Sequence, residues 1–523
     1  TAPGVLLPSE DEDEKRLAEL GYKQELERRM GGFANFAVSF TIISILSGAL
    51  TLYGTGMAYG GPMQQAIGWP IVSIFVIIVA LSMAELASAF PTAGGLYWWA
   101  SKLGGAVWGW FTGWFNLIGQ VAITAGIDYG AATFTTALLN FWTGYTNDAH
   151  HIIYVYIAIL ALHAALNIFG VKLVARLNDV SAYWHVVGVA VIGVVLIVIP
   201  DQHQSLSFVF TKTVNESGLT GAGFFFVFLL GFLQAQYTYT GYDASAHMSE
   251  ETRNASRAAA RGVIMSVVVS AIAGYILIMA LTFGIKDLNG VVGAGSQAAI
   301  EAMRQGVGQK GMEFLLFIAV MGQLFCGMSA ITSASRMLYA FSRDRAVPGH
   351  GLWSKLNGRR VPGNAVILIA VLAFILAAPA WSGQTLFVYA AVTSIATIGL
   401  YLAYIIPIYL RFRAGDSFEP GPWNLGRWSK PLNIIAMIWV AFITILFLMP
   451  ITDAGIPGKD WDHTKANYAP VVVGIVTLIV AVWWVASARH WFKGPISNLP
   501  PDPREDPDAA DPTGGPDPQT QPA

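Results

Sequence analysis

Apolar runs about twenty residues long alternate with short polar, basic loops along nearly the whole chain. Crossing the hydrocarbon of a bilayer takes about 20 predominantly apolar residues at ~1.5 Å rise each. Twelve segments read as such spans, near Phe33 to Tyr59, Gln64 to Phe90, Ala106 to Trp142, Ile152 to Phe169, Val180 to Ile199, Gly221 to His247, Val263 to Ile285, Met312 to Phe341, Ala365 to Trp381, Thr385 to Tyr409, Asn433 to Ile451 and Tyr468 to Ala486. The pattern predicts an all-α membrane protein.

Two spans are interrupted. The first, FANFAVSFTIISILSGALTLYGTGMAY, carries Ser44, Ser47, Gly48, Thr51 and a Gly54-Thr55-Gly56 step. The sixth passes from a Phe-rich half into Gln234, Gln236, Tyr237, Thr238, Tyr239, Thr240, Gly241, Tyr242 and Asp243. Backbone groups freed by a break inside hydrocarbon must find partners in protein or in a water-filled cavity, so both breaks point to an internal site. The interrupted spans hold equivalent places in two five-helix halves, about 33–199 and 221–411. That is the pattern of inverted-repeat carriers, whose discontinuous helices turn dipole ends and free carbonyls toward a substrate; a pair of packing glycines is the plainer alternative.

Composition narrows the class. Of 523 residues 54% are hydrophobic and 12% charged, against roughly a quarter charged in soluble domains. The 30 basic and 32 acidic residues nearly cancel, so no field recruits nucleic acid. Basic residues accumulate on the cytoplasmic side of membrane proteins. Lys212, Lys286, Arg304, Lys310, Lys459 and Lys465 fall on one side of a twelve-span chain and the other 24 on the opposite side, which predicts two cytoplasmic ends in the plasma (inner) membrane. Residues 1–32 then form a cytoplasmic segment, without the features of a cleavable signal peptide. Residues 487–523, rich in Pro and Asp after Asn498, read as a disordered cytoplasmic tail. The single cysteine, Cys326, excludes a disulfide framework and reads as an inert buried thiol. No phosphate loop, HExxH or GxSxG is present, so neither an enzyme nor a cofactor or metal is expected.

Three stretches, AELASAFPTAGGLYWW (Ala84 to Trp99), YTGYDASAHMSEET (Tyr239 to Thr252) and SRMLYAFSRDRAVP (Ser335 to Pro348), carry a family likeness. Over roughly Met30 to Trp484 the chain resembles the amino acid-polyamine-organocation superfamily of transporters, most closely its amino acid/choline branch, which includes carriers of gamma-aminobutyrate. The resemblance implies a ten-helix core (33–411), two peripheral helices (412–486) and a substrate held between spans one, three, six, eight and ten. The substrate would be a small amino acid or amine: a gamma-aminobutyrate-like omega-amino acid, choline, a polyamine or a relative. A monomer or weak dimer is expected.

Residue by residue, the family's Gly-Ser/Thr-Gly break matches Leu46, Ser47 and Gly48, flanked by Ser44, Ile45 and Ala49. Leucine in place of the first glycine disfavours a standard alpha-carboxylate pose and favours an omega-amino acid or amine. Tyr237, Thr240, Gly241 and Tyr242 match the break in span six, with Tyr237 as a gate. His185 falls where proton-coupled relatives keep a lysine, and histidine titrates near neutrality; its plainer role is a neutral histidine bonded to a carbonyl. Asp243 reads either as counter-charge to a cationic substrate or as the cap of the second half-helix. Gln120 and Asp128 are further candidates in span three, His247 for an inner gate, and Ser329, Thr332 and Ser333 for a rival sodium site. His163 reads as structural, and Glu85, Arg336, Arg343, Asp344 and Arg345 as fasteners at helix ends, with Trp98 and Trp99 as interfacial anchors. Proton symport is the expected mode, with a sodium-coupled carrier or exchanger of alpha-amino acids, or a transporter-like sensor, as alternatives.

Overall fold

The computed structural model describes residues 8–24, 28, 30–219, 223–458 and 460–496. Among them the chain is helical, with two isolated β-bridges, Met30 to Thr252 and Tyr59 to Asn215, and no sheet. The order runs α1 (Pro8–Glu19), α2 (Gly32–Ile43), α3 (Gly48–Thr51), α4 (Tyr53–Ala58), α5 (Trp69–Ala89), α6 (Gly95–Gly104), α7 (Ala106–Thr143), α8 (Ala149–Phe169) and α9 (Val171–Val198). The short α10 (Leu206–Thr211) leads to α11 (Gly223–Leu230), α12 (Leu233–Thr238), α13 (Ala244–His247) and α14 (Ala255–Phe283). Then come α15 (Leu288–Gly293), α16 (Ala298–Arg343), α17 (His350–Trp353), α18 (Gly363–Ala377), α19 (Thr385–Ala414), α20 (Ser429–Leu448), α21 (Ala469–Trp483) and α22 (Arg489–Trp491).

Ten helical stretches among the described residues are long and apolar enough to cross a membrane. Two runs read from the sequence lie outside those ten. The Gly223–Thr238 stretch is short because the chain breaks after it. Helix α7 is long but carries Thr112, Asn116, Gln120, Thr124, Asp128, Thr133 and Thr136, all buried in the bundle. It packs against α19, α16, α6, α8 and α18, so protein surrounds its polar residues.

The outer surface is the reverse. Val471, Ile475, Leu478, Ile479 and Val482 of α21 are exposed, as are Val186, Val187, Val194 and Ile197 of α9 and Ile438 and Ile445 of α20. Apolar surface of that extent is stable in a hydrocarbon solvent. This is a multi-pass membrane protein.

Polar ends extend several helices beyond the apolar runs. Helix α14 begins at Ala255 instead of Val263, since Ala and Arg are strong helix formers. Its first N–H groups belong to Asp13 of α1, whose Oδ2 accepts from Asn254 N at 2.6 Å and Oδ1 from Ala255 N at 3.0 Å. Burial pushes the Asp13 carboxyl up. Arg28 Nη1 donates to Ser249 O and Thr252 O at 3.2 and 2.8 Å, which ties the same N-terminal segment down. At the other end Phe492 is buried and Ile496 N donates to Asp344 Oδ1, so packed chain runs past Arg489 into the stretch read as tail; residues 497–523 lie outside the described ones.

Candidate functional site

The first break lies between α2 and α3, where Ser44 adopts φ 35°, a left-handed conformation rare for serine. The N–H groups of Ser47 and Gly48 turn back onto Ser44 O at 2.9 and 3.0 Å. Three loosened carbonyls are taken by side chains from other helices. Gln323 Nε2 donates to Leu46 O at 2.9 Å, Gln234 Nε2 to Ala49 O at 3.1 Å, and the Cys326 thiol to Ile42 O at 3.3 Å. Cys326 is therefore a buried donor that pins the break.

The second break, Tyr239 to Asp243, separates α12 from α13. Ser39 Oγ donates to Tyr242 O at 2.9 Å and Tyr404 Oη to Asp243 Oδ1 at 2.8 Å. The two interrupted helices cross at two glycines. A Cβ on Gly48 would lie 2.8 Å from Thr238 Cα, and one on Gly241, which sits at φ 100°, would overlap the Ile42 side chain. Only glycine permits both approaches.

Between the crossings lies a cavity lined by Ile42, Ile43, Ser47 and Gly48, by Ile123 and Ile127 of α7, and by Tyr237, Thr238 and Thr240. Its volume is about 10 Å³, room for roughly one water, so the bundle is closed around it. Two buried hydroxyls on its wall, Ser47 Oγ and Tyr237 Oη, have no hydrogen-bond partner. Each hydroxyl can donate or accept a hydrogen bond, so the cavity wall offers two polar groups to a guest.

His185 on α9 touches the first break directly. Its Nε2 is 2.8 Å from Ser44 Oγ and its Nδ1 2.8 Å from Ser181 O. A carbonyl only accepts, so Nδ1 carries hydrogen in the neutral ring and the Nε2 lone pair faces the Ser44 hydroxyl. Phe40 stands edge-on to the ring, with centroids 6.3 Å apart.

Similarity to known proteins agrees with this architecture. A family model described as amino acid permease matches residues 31–488. Over 514 residues the chain is 43% identical to an amino-acid permease BAT1 homolog of Oryza sativa subsp. japonica, covering 94% of this chain and 96% of the relative. It is 39% identical to amino-acid permease BAT1 of Arabidopsis thaliana over 94% and 98% of the two chains. A putative polyamine transporter of Candida albicans is 27% identical over 94% and 90%. The chain belongs to the amino acid permease family, within the amino acid-polyamine-organocation superfamily.

Other polar residues of the permease are turned elsewhere than the sequence suggested. Asp243 stands at the start of α13, yet its side chain accepts no backbone N–H there and does not line the cavity. It holds Tyr404 and lies 3.4 Å from His247 Nε2. His247 Nδ1 also meets Ala93 O at 2.9 Å, which joins α13 to the loop before α6. Asp128 follows the cavity residue Ile127 but points at α8, where His163 Nδ1 is 3.1 Å from Oδ1. A Cβ on Gly327 of α16 would overlap that carboxylate, so Asp128 is enclosed by α8 and α16.

Leu46 faces away from the cavity. Its side chain fills a notch where added Cβ atoms on Gly322 and Gly188 would stand 2.8 and 3.2 Å from Leu46 Cδ1. The leucine side chain therefore does not narrow the cavity. Gln120 lies one turn from Ile123, outside the lining set, as are Ile45, Ala49 and Tyr242. Ser329 Oγ donates to Asn178 Oδ1 and Thr332 Oγ1 to Asn167 Oδ1, whereas His185 contacts Ser44 and Ser181; Ser333 is half-buried beside them.

At the helix ends, Glu85 is a buried fastener that pairs with Arg411 Nε at 3.1 Å and accepts from Ser429 Oγ at 2.7 Å. Burial pushes the Asp344 carboxyl up against the lowering effect of Arg343. Trp98 and Trp99 are buried in α6, with Trp99 Nε1 on Phe90 O, so they pack and do not anchor at an interface.

The lining residues unmarked in the sequence are Ile42, Ile43, Ile123 and Ile127; Gly126 stands behind Tyr237, where a Cβ would lie 2.5 Å from Tyr237 Oη. The isoleucines carry no local signal, because an apolar residue in an apolar span reads the same toward lipid or cavity. Thr238 belongs to the polar break of the sixth span, and Gly126 sits in a small-residue stretch that could have marked it.

Proposed function

We propose that this permease is a secondary carrier that imports a small amino acid or amine by alternating access, with protons moving inward alongside it. In this reading the chain has twelve spans. Helices α2 to α9 and α11 to α19 contain the two inverted halves, with α20 and α21 peripheral and both termini cytoplasmic in the plasma membrane. The observation that carries the proposal is the cavity at the crossing of two broken helices, with Ser47 and Tyr237 hydroxyls unpartnered on its wall.

The lining set contains no ionised side chain. The substrate's charges are met by backbone groups at the two breaks and its ammonium by the Tyr237 face. Relatives named amino-acid permease and putative polyamine transporter support a substrate with an amino or ammonium group. Since Leu46 points into the Gly188–Gly322 notch, alpha- and omega-amino acids stand equally.

Proton coupling rests on His185. Protonation turns Nε2 from acceptor into donor, so the Ser44 hydroxyl must reverse. Ser44 Oγ already accepts from Ser47 N at 3.1 Å, so the change is delivered to the hinge of the first break. Sodium is the rival ion. The test is uptake into proteoliposomes of gamma-aminobutyrate, choline, putrescine, ethanolamine and alpha-amino acids under an imposed pH or sodium gradient. Uptake that collapses with a protonophore and ignores sodium is expected; the reverse assigns the carrier to sodium.

A further inference from the structure

A second cavity, about 420 Å³, lies between the start of α2 and the first turns of α14. One wall carries Arg253, Arg257 and Arg261; the other is apolar, with Phe33, Phe36 and Met265. Arg257 and Arg261 are one helical turn apart on α14 and exposed, and neither guanidinium is in a hydrogen bond or ion pair among the described residues. The lining residues include no acid, and the nearby Asp13 is turned onto the α14 N–H groups. Phe33 and Met265 are exposed although both helices belong to membrane-crossing stretches, so this half of the groove opens to hydrocarbon.

We propose that this groove binds an anionic phospholipid, its phosphodiester on Arg257 and Arg261 and its acyl chain on Phe33, Phe36 and Met265. Guanidinium groups in a fixed fork match phosphate oxygens, and the exposed apolar wall sets a lipid apart from a soluble anion. A membrane places both chemistries within one molecule at the depth where a span begins.

The occupant bears on the moving part of the carrier. Phe33 and Phe36 are 5.9 Å apart between centroids, Phe36 and Phe40 are 5.4 Å apart and stacked, and Phe40 abuts His185. A lipid in the groove therefore props α2 against α14 at the far end of the half-helix that ends at Ser44. This consequence rests on the alternating-access reading; the binding site does not.

The test measures lipid binding to the purified full chain by native mass spectrometry, titrating phosphatidylglycerol or phosphatidylcholine. One phosphatidylglycerol is expected to bind preferentially. Arg257→Gln with Arg261→Gln is expected to weaken it about thirtyfold, from roughly 1 kcal/mol per basic residue, and to leave phosphatidylcholine unchanged. The Arg257→Lys, Arg261→Lys pair keeps most of the preference, and Met265→Trp, which fills the apolar half, reduces phosphatidylglycerol retention with the arginines intact. Equal phosphatidylglycerol affinity in the glutamine pair and wild type overturns the site. So does retention unchanged by Met265→Trp, or displacement of the lipid by millimolar inorganic phosphate, which would make the groove a plain anion site.

Discussion

The break between α2 and α3 is held by neutral donors from other helices, Gln323, Gln234 and Cys326, with one titratable ring, His185, on its hinge serine. The break between α12 and α13 is held by Tyr404 on Asp243, a carboxylate that also faces His247 and, through it, the loop before α6. The same interruption of a helix is thus wired to two different partners. Protonation of His185 would act on the first break without touching the second, whereas the second is tied to the loop before α6. The shared feature is the glycine each break presents to the other helix.

The largest effect should come from removing that shared feature. Gly241→Val puts a β-branched residue at φ 100° against Ile42, and Gly48→Val drives into the Thr238 backbone. Overpacking of this kind costs about 1–3 kcal/mol before the strain of the left-handed conformation is added. Labelled uptake, normalised to protein in the membrane, should fall more than about a hundredfold for either. Half of wild-type uptake in either variant would show that the crossings are not essential.

Next in size is the pair of orphan hydroxyls. Ser47→Ala and Tyr237→Phe each remove a hydroxyl proposed to bond the substrate, an interaction worth about 1–1.5 kcal/mol or roughly tenfold in KM. The thermal midpoint should hold or rise, because an unpaired buried group is lost. A fall in stability with unchanged KM would assign both hydroxyls to packing.

Asp243→Asn sharpens the contrast between the breaks. It keeps the shape and weakens the Tyr404 bond, so stability should drop by about 1–2 kcal/mol while affinity for a cationic substrate stays within about twofold. Selective loss of cation affinity would make Asp243 the counter-charge. The smallest effect on transport is expected at Leu46→Ala. It empties the Gly188–Gly322 notch at a cost of about 2–5 kcal/mol in stability, and the ratio of gamma-aminobutyrate to alpha-amino acid uptake should not move.

Much of the membrane architecture was legible because a run's length and apolarity depend little on neighbours, and a Gly- or hydroxyl-rich interruption inside such a run has few explanations. Ser47, Gly48, Tyr237 and Thr240 stood out in this way, and the structure brings them to one cavity. Directions were not legible. In an irregular break the side-chain rotation is not fixed by helical period, so Leu46 and Asp243 could not be aimed from sequence, and Ser44 turns to His185 through a left-handed conformation. Pairing across helices was equally hidden. Asp128 and His163 lie in different spans, and each alone looked like an isolated polar residue in apolar surroundings.

The proposed proton site is His185, at the first break. The most direct measurement compares His185→Ala with wild type in proteoliposomes, following accumulation driven by a pH gradient beside counterflow exchange of the same labelled substrate. Loss of proton-driven accumulation with exchange retained within about threefold is the predicted result. Accumulation that still follows the pH gradient in His185→Ala would contradict it.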